Sequence, residues 1–228
     1  MKRKNNTKRN VIILACACLG IIIGAAYMFF FSALLVGNDT KYVYIDNDDT
    51  IDSVYTKMSE FSKKGTQMTG FKMLVNNSKY ADNIRTGRYA VRPGEGSFVV
   101  FRHLKNGLQT PVNLVVPSVR TVDRLAAEFS KKLMLDSATI YHALADEATC
   151  QKYGYDTATI AAMFIPNTYD IYWNVSTEKL LDRMHKECKR FWNAERKEKA
   201  QAMKLSPVEV STLASIIDEE TANDGEKP

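Results

Sequence analysis

Acidic residues are absent before Asp39, and charge of either sign is absent from Val11 to Val36. The basic excess is just as localised. Lys2, Arg3, Lys4, Lys8 and Arg9 account for the whole net charge of +5, which leaves 26 basic against 26 acidic residues afterwards. A nucleic-acid protein would spread its excess over a face of the folded domain, so that class is excluded as a partner. Cysteine is scarce, at 4 residues, and the 11 glycines and 6 prolines are ordinary for 228 residues. These counts exclude a disulfide-rich or collagen-like chain. No internal repeat, Gly-rich phosphate loop or nucleophile elbow is present. What remains, 45% hydrophobic and 25% charged, is a globular composition.

The uncharged run from Val11 to Val36 is read as a transmembrane helix behind a cytoplasmic basic tail, residues 1–10. About 20 apolar residues cross a bilayer. Positive flanks stay inside, which predicts an N-in, single-pass chain exported from about Asn38 onward. A cleaved signal peptide has an apolar core of only about 7–15 residues, much shorter than this one. Phe29, Phe30 and Phe31 also occupy the far end of the run, where a cleavage site needs small residues. A lipoprotein site at Cys16 would have too few apolar residues before it. Cys150 and Cys188 then face an oxidising compartment, where they either pair or remain two separate buried thiols.

The exported part divides near Thr110 to Pro117. Before it lies a small α+β module, residues 40–110. Tyr42 to Ile45 reads as a strand, and Thr50 to Phe61 has helical spacing. Phe71 to Val75 belongs to a short helix, and Gly87 to Val91 is a second strand. Ser97 to Leu104 is helical and stops at Asn106-Gly107. In residues 111–228, Pro111 to Val116 is a strand. Helices begin at Thr121, with Val122 through Leu133 on one face, and at Ser137. From Ser176 the apolar positions Leu180, Leu181, Met184, Cys188 and Phe191 predict one helix running into Glu195 to Lys199. That mixed-charge stretch is read as a solvated face. The overall expectation is an α+β fold.

The last helix opens with a capping box, Ser206-Pro207-Val208-Glu209, with proline at the first helical position. Counting onward, Leu213, Ile216, Ile217 and Glu220 share a face. An aliphatic setting disfavours the carboxylate of Glu220 and suits it to general acid work at neutral pH. The alternative is that the stripe ends at Ile217 and Glu220 is the frayed end of a surface helix. His103, His142 and His185 are isolated and no Cys-x-x-Cys occurs, so no metal is expected. The segment Phe164-Ile165-Pro166-Asn167-Thr168-Tyr169 is a compact turn whose aromatics suit either a sugar cleft or the core.

Ala214-Ser215-Ile216-Ile217-Asp218-Glu219-Glu220-Thr221, preceded by Leu205-Ser206, resembles the catalytic segment of the endolytic murein transglycosylases, the YceG-like family. Phe164 to Tyr169 is similar to that family's LEG-x-LFPDTY segment. Gly87-Arg88-Tyr89 with Leu104-Lys105-Asn106-Gly107 is similar to its LysM-like module. There are departures. Ala161-Ala162-Met163 stands where Leu-Glu-Gly is usual, and Asn167 replaces an Asp. Pro117-Ser118-Val119-Arg120-Thr121 replaces an EG-x-T stretch. The family's NRL…DPT continuation is not reached by Pro228, so a catalytic domain incomplete at its C-terminus is expected.

The resemblance implies cleavage of the MurNAc-β-1,4-GlcNAc bond of nascent peptidoglycan strands, leaving 1,6-anhydromuramoyl ends. It implies Glu220 as the catalytic acid, with Phe164, Asn167, Tyr169, Ser215 and Thr221 around the glycan, and no cofactor. It further implies residence in a bacterial plasma membrane, beside membrane-bound peptidoglycan synthases. A non-catalytic peptidoglycan-binding scaffold and a division-machinery adaptor are the rival readings.

Overall fold

The apolar N-terminal run is exposed over most of its length and buried near its end. The computed structural model describes residues 2–63, 65–118 and 121–220, and the side chains of 2–8, 219 and 220 fall outside that description. Helix α1 (Lys2–Ala26) continues through a π-helical turn, Tyr27–Phe31. The stretch Arg9–Phe31 is long and apolar enough to cross a bilayer, and none of its most apolar window is buried. The run expected to span the membrane extends to Val36, and its last part has protein neighbours. Leu34 and Leu35 are buried in a protein core. Lipid and a protein interior make the same demand on composition, so a hydrophobic run alone does not say where one gives way to the other.

The chain separates into two compact units, Met1–Thr110 and Pro111–Pro228. In the first, strand β1 (Lys41–Ile45) is followed by α2 (Ile51–Ser59), α3 (Thr66–Asn76), β2 (Gly87–Val91) and α4 (Ser97–Asn106). β1 and β2 pair antiparallel, from Lys41 opposite Val91 to Ile45 opposite Gly87. The two-residue period turns Val43 and Ile45 inward and leaves Tyr42 and Tyr44 exposed. Inside, Phe71 of α3 and Phe101 of α4 meet edge to face at 6.4 Å. Thr50 caps α2 by accepting from the Ser53 N–H, and Gly107 ends α4 in the left-handed conformation at φ 67°.

The second unit holds β3 (Val112–Val116), α5 (Val122–Ser130), α6 (Ser137–Ala145), α7 (Glu147–Lys152), β4 (Asn167–Ile171), α8 (Thr177–Phe191), α9 (Ala194–Ala202) and α10 (Pro207–Glu220). β4 lies antiparallel to β3, with Asn167 opposite Val116 and Ile171 opposite Val112. Mixed α/β architecture with two small sheets is therefore the fold class. Leu180, Leu181, Met184 and Cys188 of α8 are buried with Leu114, Phe129 and Ile140. Each fully buried side chain of that size contributes roughly 1.5–3 kcal/mol, so this stripe fixes the helix on the core.

Several expectations change here. The helix from Ser176 does not run through to Lys199. It stops at Phe191, and Asn193 caps a new helix, α9, by accepting from the Arg196 N–H at 2.9 Å. α5 ends at Ser130, short of Leu133, and Thr121 makes no side-chain cap bond. The Asn167–Tyr169 part of the expected turn is the start of a strand. Cys150 and Cys188 are free and buried, each with its own partner: Cys150 Sγ lies 3.3 Å from the Leu144 carbonyl oxygen, and Cys188 Sγ lies 3.4 Å from the Tyr155 hydroxyl. Burial pushes both thiols above their ordinary pKa.

Candidate functional site

The second unit contains a cavity of about 800 Å³, within the range of ligand sites. Five segments converge on it: Pro117 and Ser118 just after β3, Leu125 of α5, residues 158–166, the α8–α9 junction with α9, and α10. Its aromatic wall is Phe164, Phe191 and Trp192. Phe164 is held by Phe129, ring centroids 5.8 Å apart, and Phe191 meets Trp192 edge to face at 5.4 Å.

Two cations reach the same space from α9. The Arg196 guanidinium sits over the Phe191 ring at 4.3 Å and donates to the Phe191 carbonyl at 2.8 Å. Lys199 lines the cavity one turn further on, paired to Glu195 at 2.7 Å. A solvated face was expected for this stretch, and most of α9 is indeed exposed. The missed signal is Ala200, which is buried, and Met203: small and apolar positions on the arc that carries Arg196 and Lys199.

α10 supplies the polar wall. Its first turn is fixed by reciprocal bonds between Ser206 and Glu209, the capping box read from the sequence. The bonds from Ser206 hold the Glu209 carboxyl below its ordinary pKa. From that start, Ser211, Ser215 and Asp218 follow at four- and three-residue steps and all line the cavity. The Ser215 hydroxyl donates to the Ser211 carbonyl at 3.0 Å, which leaves its oxygen lone pairs to accept from a ligand.

The expected site residues separate on inspection. Phe164 and Ser215 face the cavity. Tyr169 does not; it is buried on the inner face of β4 and its hydroxyl donates to the Ile165 carbonyl at 2.9 Å. Asn167 is exposed, and its side-chain oxygen accepts from the Thr168 N–H at 2.7 Å. Thr221 lies outside the described residues. Glu220 is the last residue of α10, and its side chain is likewise outside the description. The helical repeat puts position 220 one turn past Ile216, which lines the cavity, and beside Ile217, which does not. Leu213, Ile216 and Ile217 are exposed at 45%, 45% and 40%. The aliphatic stripe is therefore not itself packed away, and it supplies no burial of the kind the sequence suggested.

An apolar and aromatic wall facing cations, hydroxyls and one carboxylate suits a ligand with both apolar faces and polar or anionic groups. The model of the YceG-like family matches residues 43–228. No curated protein matches the chain at a significant level. Among solved structures, a 2.6 Å crystal structure of a yceG-like protein from Listeria monocytogenes is similar at 18% identity and a TM-score of 0.46, covering 82% of this chain. This chain spans 66% of that protein's length.

Proposed function

Because the chain belongs to the YceG-like family, the endolytic murein transglycosylases, we propose that it is a membrane-anchored enzyme that cleaves the MurNAc-β-1,4-GlcNAc bond within peptidoglycan strands. The observation that carries this reading is the family match across the cavity-bearing unit. Glu220 is the general acid. It gives its proton to the glycosidic oxygen as the bond to the anomeric carbon breaks, and as carboxylate it then takes the proton from the muramoyl 6-hydroxyl. That hydroxyl closes onto the anomeric carbon, forming the 1,6-anhydro ring with no water consumed. Ordinary glycosidases need a second carboxylate as nucleophile or base. Here an intramolecular hydroxyl replaces it by proximity.

One observation favours a second assignment of the acid. Asp218 lines the cavity, two residues before Glu220. The module of residues 40–110 is read as LysM-like and glycan-binding, on the resemblance of Gly87 to Tyr89 and Leu104 to Gly107. The basic residues at the start of α1 support an N-in orientation in the plasma membrane, with the chain from about Asn38 onward outside.

Incubation of the protein with intact peptidoglycan, followed by mass spectrometry of the fragments, tests the reaction. Internal 1,6-anhydromuramoyl ends should accumulate as strand length falls. Fragments one water heavier, with reducing ends, would make the protein a hydrolase, and unchanged strands would leave it a binding module.

A further inference from the structure

The membrane helix and the first unit are built as one piece, with no linker between them. Ser32, the residue after the π-helical turn, donates from its N–H to the Tyr27 carbonyl at 3.0 Å and accepts at its hydroxyl from Gln67 of α3 at 3.0 Å. Two residues on, the Leu34 N–H donates to the Glu95 carbonyl at 2.9 Å, and the Lys63 N–H donates to the Leu34 carbonyl at 2.8 Å. Leu34 and Leu35 are core residues. The turn itself lies against backbone. A Cβ on Gly70 would collide with the Phe29 carbonyl oxygen, and one on Gly96 would lie 2.5 Å from that of Phe30. Both glycines have ordinary backbone angles, so close approach is what excludes a side chain there.

Length fixes the depth of this contact. From Arg9, a hydrocarbon layer of about 30 Å is crossed in roughly 20 residues at 1.5 Å each, which brings its far boundary to about Phe29. The faces of α3 and α4 that hold Phe29 to Phe31 therefore begin where the hydrocarbon ends. Each of these helices exposes one large apolar side chain beside the turn. Met73, one turn past Gly70, is 46% exposed, and Phe98, whose ring centroid is 5.8 Å from that of Phe31, is 39% exposed. Whatever surrounds the anchor surrounds them, and around a spanning helix that is lipid.

We propose that the first unit is seated in the interfacial layer of the bilayer, with Met73 and Phe98 among the lipid headgroups, instead of being tethered above the surface. The proposal rests on the anchor reading, and the fit at Gly70 and Gly96 also favours a retained helix over a cleaved signal. Tryptophan, placed singly at Ile22, Met73 or Phe98 in the full chain, is reconstituted in phosphatidylcholine vesicles carrying shallow- or deep-brominated lipid. Emission is read above the background of Trp173 and Trp192. Ile22→Trp should lose most of its added emission to deep bromine. Phe98→Trp and Met73→Trp should lose theirs to shallow bromine and emit to the blue of a water-exposed tryptophan. Loss at Ile22→Trp alone, with water-like emission at the other two, overturns the seating and leaves the anchor standing. No loss at any position overturns both.

Discussion

Ser206 and Glu209 cap each other: the Ser206 N–H donates to the Glu209 carboxylate at 2.7 Å, and the Glu209 N–H donates to the Ser206 hydroxyl at 3.2 Å. This pair sets the start of the helix that ends at Glu220. Ser206→Ala should cost about 1 kcal/mol of stability, typical of a lost cap. Urea unfolding checks the stability, and peptidoglycan cleavage under folded conditions should fall with it as α10 frays. The Glu209 carboxylate is favoured by folding, so its contribution is present above the ordinary carboxylate range and is lost as pH falls through its lowered value.

Tyr169 should prove structural. It is buried, its hydroxyl donates to the Ile165 carbonyl, and it is not among the residues that line the cavity. Tyr169→Phe is expected to lower stability by about 0.5–1.5 kcal/mol. Turnover per folded molecule should be unchanged, and a large loss of turnover at full stability would restore Tyr169 to the substrate site.

His185 gives the second unit an acid-sensitive point. Its ring lies 5.3 Å from that of Tyr153, and its Nδ1 is buried without a hydrogen-bond partner. Burial and then Lys189 push its pKa below the ordinary value, against the opposing pull of Asp182. The folded state thus prefers the neutral ring. The stability this confers is complete above the unfolded pKa of about 6.5 and declines as pH falls toward the lowered value. Urea midpoints of the native protein should drop as pH falls below about 6.5. His185→Phe should show a shallower drop on the same acidification.

Asn193 is the residue that separates α8 from α9. Asn193→Ala should destabilise by about 0.5–2 kcal/mol, as expected for a capping side chain. Hydrogen exchange should speed up in the first turn of α9 and leave Leu180 to Cys188 of α8 protected.

Much of the secondary structure was legible because short-range rules decide it. The Gly87 to Val91 strand has the bounds expected of it, and a helix begins at Ser137 as expected. The capping box at Ser206 was equally plain. The α8–α9 break was hidden because the apolar period continues across it, and only the capping bond of Asn193 reveals it. β4 was hidden for another reason: Asn167-Thr168-Tyr169-Asp170-Ile171 is short and polar, and it forms a strand because β3 offers it an edge. In the candidate site, Phe164 and Ser215 were reached through family resemblance. Arg196 and Trp192 were not, because their place in the cavity depends on how α9 folds back after Phe191.

The most direct test of the account is a comparison of Glu220→Gln, Asp218→Asn and Glu219→Gln by release of 1,6-anhydromuramoyl products from peptidoglycan. Glu220→Gln keeps the size of the side chain and removes its exchangeable proton. It should lose roughly 10²–10⁴-fold in turnover, the usual worth of general acid–base assistance, while glycan binding and thermal unfolding stay near native. Glu219→Gln should keep most activity, and Asp218→Asn should fall between the two. Full turnover in Glu220→Gln, with the loss appearing in Asp218→Asn or Glu219→Gln instead, would contradict the assignment of the acid. Native turnover in all three would contradict the enzyme.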